Sequence, residues 1–198
     1  MTRYVALLLI SAVSLFSCKP AVYTPKPRGY YEILLPEHKY RSFTETSFPY
    51  SFEYPIYGNI IKDTSFYGKM PENPYWINID FPELGGRIYI SYKSITPGQS
   101  LEKLMEDSYE MSVAMHSKRA DFIDDFNFHD TKNNVHGIFY NVGGDAASAY
   151  QFYATDSIKN FIRGALYFDV APNADSLKPV NEFLRTDIEH MLRTLRWQ

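Results

Sequence analysis

The chain has 198 residues, with 20 Lys and Arg against 23 Asp and Glu, and a single cysteine. A net charge of −3 offers no attraction for nucleic acid or an anionic membrane surface. One thiol excludes an internal disulfide and any cysteine-based metal or redox pair.

The N-terminus reads as a targeting segment. Arg3 supplies a positive charge, and Tyr4 to Phe16 is an uncharged run of 13 residues. A membrane-spanning helix needs about 20 residues, so the run suits the apolar core of a signal peptide. Leu15, Phe16 and Ser17 precede Cys18 in the pattern of a lipobox, although Phe16 is bulkier than the residue usual there. The sequence therefore predicts a signal peptide over residues 1–17, cleavage before Cys18, and lipid on its sulfur. Stable anchoring takes more than one acyl chain, and a bacterial lipoprotein carries two or three. Without Arg3 the mature chain keeps 19 basic residues against 23 acidic, a net charge of −4. Residues 18–28 form a tether. Pro20, Pro25 and Pro27 favour extended polyproline-like structure, and at about 3.1 Å per residue it reaches roughly 30 Å.

A single globular domain is predicted over residues 29–198. Tyr30–Pro36 and Tyr50–Pro55 read as short strands, the second with Tyr50, Phe52 and Tyr54 on one face. Trp76–Phe81 and Arg87–Tyr92, joined by Pro82–Gly86, read as a hairpin. Ser100 is placed to cap a helix over residues 101–118, with Leu101, Leu104, Met105, Ser108 and Met115 as a malleable core stripe. Residues 135–140, 149–155 and 160–170 form a three-strand meander. A final helix starts near Asp175 with Pro179 in its first turn. Its apolar stripe is Leu177, Val180, Leu184, Ile188, Met191 and Leu195. The order strands, helix, strands, helix implies an α+β fold, a mostly antiparallel sheet packed against two main helices. The layout resembles the PsbP/Mog1-like α/β sandwich, with a Phe-x-Tyr-Pro strand at its start and Leu195-Arg-Trp197 at its end.

No nucleophile elbow, dinucleotide or phosphate loop, or zinc-protease motif occurs, so no catalytic residue and no cofactor is assigned. Asp124–Asp130 fails as a calcium loop, because Asp130 stands where glycine is required and His136 where a bidentate glutamate belongs; a solvated loop is expected. His129 and His136 lack a nearby third ligand, so no metal is assigned. Gly143-Gly144-Asp145 reads as a hairpin turn. The remaining candidate is Pro25–Tyr40, where Arg28, Tyr30, Tyr31, Glu37, His38 and Tyr40 are interleaved with prolines. Arg and Tyr are the residues that dominate protein contacts, so the stretch is read as a partner-binding arm, or else as an edge strand whose tyrosines pack on the sheet. A further contact surface is sought on an exposed face carrying Gln151, Tyr153 and Tyr167.

Pro25-Lys-Pro-Arg-Gly-Tyr-Tyr31, Leu35-Pro-Glu-His-Lys-Tyr40 and Tyr50-Ser-Phe-Glu-Tyr-Pro55 resemble the gliding-motility lipoprotein D (GldD) family of Bacteroidota. Trp76-Ile-Asn-Ile, Ile88–Lys93 and Leu104–Tyr109 are similar as well. The resemblance implies a lipoprotein needed for gliding and type IX secretion, with Cys18 as the lipid site and no enzymatic activity to carry over. Its partners would be the membrane, through the anchor, and other envelope or secretion-machinery proteins. Surface-exported lipoproteins of Bacteroidota usually carry acidic residues after the cysteine. Lys19–Thr24 has none, which implies a domain facing the periplasm. The competing function is a periplasmic ligand-binding or hydrolytic lipoprotein with a pocket between sheet and helices.

Overall fold

The computed structural model describes residue 29 and residues 32–63 and 70–198. In a first unit, Met1–Glu32, only Gly29 and Glu32 are described, so the signal segment, the tether, Cys18, Arg28, Tyr30 and Tyr31 lie outside the described residues. The second unit is Ile33–Gln198. Its strands are β1 (Tyr40–Phe43), β2 (Tyr50–Pro55), β3 (Asn59–Lys62), β4 (Ile77–Phe81), β5 (Gly86–Ser94), β6 (Ala120–Asp130), β7 (Val135–Gly144), β8 (Tyr150–Thr155), β9 (Asn160–Phe168) and β10 (Arg196–Trp197). Helix α1 is Leu101–Tyr109, continued by a π segment over Glu110–Ala114, and α2 is Ala174–Thr194.

The strands form a seven-stranded sheet in the order β3-β4-β5-β9-β8-β7-β6 and a three-stranded sheet in the order β1-β2-β10. Every strand pairing is antiparallel. The class is α+β, as the alternation of patterns predicts. The β4–β5 hairpin lies where its glycines put it: Phe81 pairs with Gly86, and Gly85 takes the left-handed conformation after a single 3₁₀ turn. Gly144 likewise has positive φ where β7 turns toward β8, and a side chain there would press on the Asp121 backbone.

Alternation along the strands sorts the large sheet into two faces. Ile88, Ile90, Phe139, Phe152, Ile162 and Leu166 point to one face, into the main core with α2 and with Tyr50 and Phe52 of the small sheet. Tyr140, Tyr153 and Phe161 point to the other, where Leu104 of α1 covers them. The topology requires that cover. The chain leaves β5 and next pairs at β6, four strand positions away, about 19 Å at 4.8 Å per strand. A helix of 9 residues continued by a π segment of 5 spans about 21 Å.

Ser100 caps α1 as expected, its hydroxyl accepting from Lys103 N at 3.3 Å. Asn173 caps α2, accepting from Ser176 N at 3.0 Å, and Asp145 accepts from Ala174 N at 2.8 Å. Thus the Gly143-Gly144-Asp145 turn also closes the N-terminus of α2.

Several local expectations are corrected. Residues 32–39 belong to no strand, their one backbone bond to the sheet among the described residues being Ile56 N to Lys39 O at 2.9 Å, and the first strand begins only at Tyr40; Pro36 and the charged run after it supply no ladder. Asp124–Asp130 is not a loop but part of β6, the outer strand beside β7. Its carboxylates are tolerated because an edge strand is half solvated, and they discourage edge-to-edge pairing. His129 and His136 face each other in register there. Met105 and Met115 are exposed, the latter at 72 %, and the buried stripe is Leu104 and Ser108 of α1, Ser112 of the π segment and His116 of the turn after it. Gln151 and Tyr153 are buried rather than exposed, since α1 covers their face. Helix α2 starts at Ala174, which places Pro179 in its second turn. It ends before Leu195, and Arg196–Trp197 becomes β10, pairing with β2.

Candidate functional site

Of the predicted arm, Glu37, His38 and Tyr40 can be placed. Glu37 is exposed and paired with Lys39 at 2.8 Å, an ion pair in solvent that contributes little. His38 and Tyr40 are tied down. Both reach Asp187 of α2, whose side chain is only 1 % exposed. His38 Nδ1 lies 2.7 Å and the Tyr40 hydroxyl 3.0 Å from Asp187 Oδ1, and the Tyr57 hydroxyl donates to Oδ2. One buried carboxylate thus gathers three groups from two places in the chain, and its desolvation is offset by hydrogen bonds.

The rings reinforce the clasp. His38 stacks on Phe183 at 4.3 Å, and Tyr40 lies nearly parallel to His190 at 3.5 Å. His190 Nε2 in turn meets Glu53 of β2 at 2.7 Å. Burial, followed by the charge and hydrogen bond of Asp187, pushes the Tyr40 hydroxyl up to about 12 and raises Tyr57 as well. Both phenols therefore stay protonated as donors. The Asp187–His38 pair has the form of an oriented imidazole, but Phe183 and Tyr40 stack on the ring. No hydroxyl nucleophile is bonded to it among the described residues. The geometry is that of a fastening. Just before it, Ile33, Leu34 and Leu35 are exposed, Leu34 at 87 %.

Two cavities lie elsewhere. An open groove of about 670 Å³ runs between α2 and the β6–β7 edge, lined by Phe126, Phe128 and Phe139. Its Arg185 is matched by Glu189 at 2.8 Å and lies 5.9 Å from the ring centres of Phe139 and Tyr150. The second cavity, about 310 Å³, sits under α1 on the opposite face of the sheet, with Arg163 in its lining. Burial holds the Arg163 guanidinium below its ordinary pKa. Burial together with Arg163 lowers that of His116.

Asp187 and Arg163 were not singled out from sequence, though each left a trace. Asp187 falls inside the apolar stripe of α2, between Leu184 and Ile188. Ser108, Ser112 and His116 continue the line of Leu104 at four-residue spacing, a polar row on a face that turns out to be buried.

The family model of gliding motility lipoprotein GldD matches residues 20–197. No curated protein matches the chain. Among solved structures, the solution structure of cyanobacterial PsbP (CyanoP) from Synechocystis sp. PCC 6803 is similar, with a TM-score of 0.49 and 13 % identity over 93 % of this chain and 99 % of that one.

Proposed function

The chain belongs to the gliding motility lipoprotein GldD family, and on that premise we propose a lipid-anchored, non-catalytic accessory component of gliding and type IX secretion machinery. Cys18 carries the lipid, residues 18–28 tether a domain over 29–198, and that domain faces the periplasm. The segment with Arg28, Tyr30, Tyr31 and Glu37 contacts another envelope protein. His38 and Tyr40 serve that contact indirectly, by fixing the base of the arm on α2.

One observation carries this reading. The exposed apolar run Ile33–Leu35 is followed directly by a clasp of three groups on a buried carboxylate. A fold gains nothing by exposing three large aliphatic side chains beside a fastening unless something covers them. Fixing the base also lowers the ordering cost of binding.

The test separates anchor from arm. Cys18→Ala should abolish fatty-acid labelling and detergent partitioning, and retained label would sink the anchor. On this reading Arg28 serves a contact and not the core, so Arg28→Ala should melt within a degree or two of wild type, a shift of about 0.5 kcal/mol or less. It should lose a crosslinked partner in native cells, since an interface arginine contributes about 2 kcal/mol or more, roughly a thirtyfold loss of affinity. A stable Arg28→Ala protein that still captures the partner and supports secretion would show the arm to be no contact surface.

A further inference from the structure

The cavity under α1 is charged in an unusual way. Arg163 lies on the sheet face between Ser91 and Tyr153, its partners across β5 and β8. Its Nη2 donates only to neutral oxygens, Ser112 Oγ at 3.5 Å and Gln151 Oε1. Its Nε is buried without a partner, as are Ser108 Oγ and Gln151 Nε2. Among the described residues no carboxylate lies within ion-pair distance of this guanidinium, whereas Lys93, also in the lining, is engaged by Glu72 at 2.8 Å. A half-buried guanidinium whose Nε is shut off from water without an acceptor is costly, and its planar fork is shaped for a carboxylate.

The other side of the same cavity is acidic. Asp107 of α1 and Glu110 of the π segment that continues it, three residues apart, line it, and neither forms an ion pair among the described residues. Leu104, Met111 and Phe161 supply the apolar part of the lining. Glu110 also opens the π segment, a distortion frequent at functional sites. At about 310 Å³ the space stands at the small end of ligand pockets, which run from about 300 to 1,000 Å³.

A lining that joins an unmatched arginine on the sheet to two unmatched carboxylates on the covering helix discriminates between ligands. Inorganic phosphate or a dicarboxylate meets repulsion from Asp107 and Glu110. A simple cation has no use for Arg163. We propose that the cavity binds a small amphoteric molecule of the amino-acid class, with its carboxylate on Arg163, its ammonium toward Asp107 and Glu110, and its hydrocarbon on Leu104, Met111 and Phe161. The site is separate from the Asp187 clasp, which lies with α2 on the opposite face of the sheet, so the two stand or fall independently.

The test uses the full-length protein in detergent, with thermal melting and calorimetry. The probes are free L- and D-amino acids from alanine to phenylalanine, their N-acetyl and amide derivatives, and inorganic phosphate. At least one free amino acid should raise the melting temperature, with both of its derivatives binding at least tenfold more weakly. Arg163→Met should abolish binding. Asp107→Asn with Glu110→Gln should weaken the free amino acid to the level of its N-acetyl derivative and leave the latter unchanged. The proposal is overturned if no amino acid binds, if phosphate binds best, if a derivative matches its parent, or if Arg163→Met binds like wild type. Should Arg163→Met fail to fold, the double variant decides alone, and an unchanged affinity for the free amino acid overturns the assignment.

Discussion

The two helices cover opposite faces of one sheet, and each buries charge, but in contrasting ways. Helix α2 buries Asp187 with three partners and sets it within a row of Val180, Leu184, Ile188 and Met191. Helix α1 buries Ser108, Ser112 and His116 above Arg163, leaves donors there unused, and encloses a cavity. Its methionines stay outside. A satisfied buried polar group fastens distant segments in one arrangement, whereas a half-satisfied one costs stability and keeps capacity for something to be bound.

That contrast can be broken by substitution. The largest effect should come from Asp187→Ala, which leaves His38, Tyr40 and Tyr57 without their common acceptor. A loss of about 3 kcal/mol or more in urea unfolding is expected, with faster proteolysis between residues 33 and 40. A loss below about 1 kcal/mol would show that the clasp does not hold the arm.

Next comes the alkaline limb. The folded-state pKa of Tyr40, about 12, lies above the unfolded value near 10, and that of Tyr57 is raised too. Their contribution is therefore complete below pH 10 and is lost as pH rises toward 12. Tyr40→Phe should cost about 1.5 kcal/mol at neutral pH, for one hydrogen bond to a charged group, and should flatten the fall in stability above pH 10. An alkaline curve that overlays the wild type would argue against it.

The acid limb reports on α1. Burial and Arg163 lower the pKa of His116 below its unfolded value near 6.5. The stability tied to its neutral form is present above that pH and lost as pH falls through 6.5 and below. His116→Gln should remove the part of the slope between pH 7 and 5 that arises there. Arg163→Met should remove only the charge contribution and leave the larger one, from burial. Equal slopes in all three proteins would place the acid sensitivity elsewhere.

The smallest effect is predicted for Arg163→Met in the absence of ligand. An unmatched buried charge replaced by an apolar chain of similar length should change stability by no more than about 1 kcal/mol. A loss rivalling that of Asp187→Ala would mean that the two helices are fastened alike.

Much of the fold was legible because it depends on local pattern. The strict alternation of Tyr50, Phe52 and Tyr54 marked β2, the glycines after Pro82 marked the hairpin, and the stripe from Val180 to Met191 marked α2. Where charges interrupted the pattern, the reading failed. β6 looked like a solvated loop, because an edge strand needs only one partner and can carry four aspartates along its length. On α1 the expected stripe holds at Leu104 and Ser108 and fails at Met105 and Met115, because hydrophobicity alone does not mark burial. The connection from β5 to the far edge also turns Ser112 and His116 inward.

Sequence alone determined the class, the elements with clean periodicity and the family motifs, because each is written in residues close together along the chain. Tertiary structure decided which charges are buried and what meets them. His38 finds Asp187 across 149 residues, and Arg163 finds Ser112 across 51. No local pattern encodes such a meeting. Burial and pairing are properties of faces brought together, and only the antiparallel order of the sheet, with a helix laid across each side, brings these faces together.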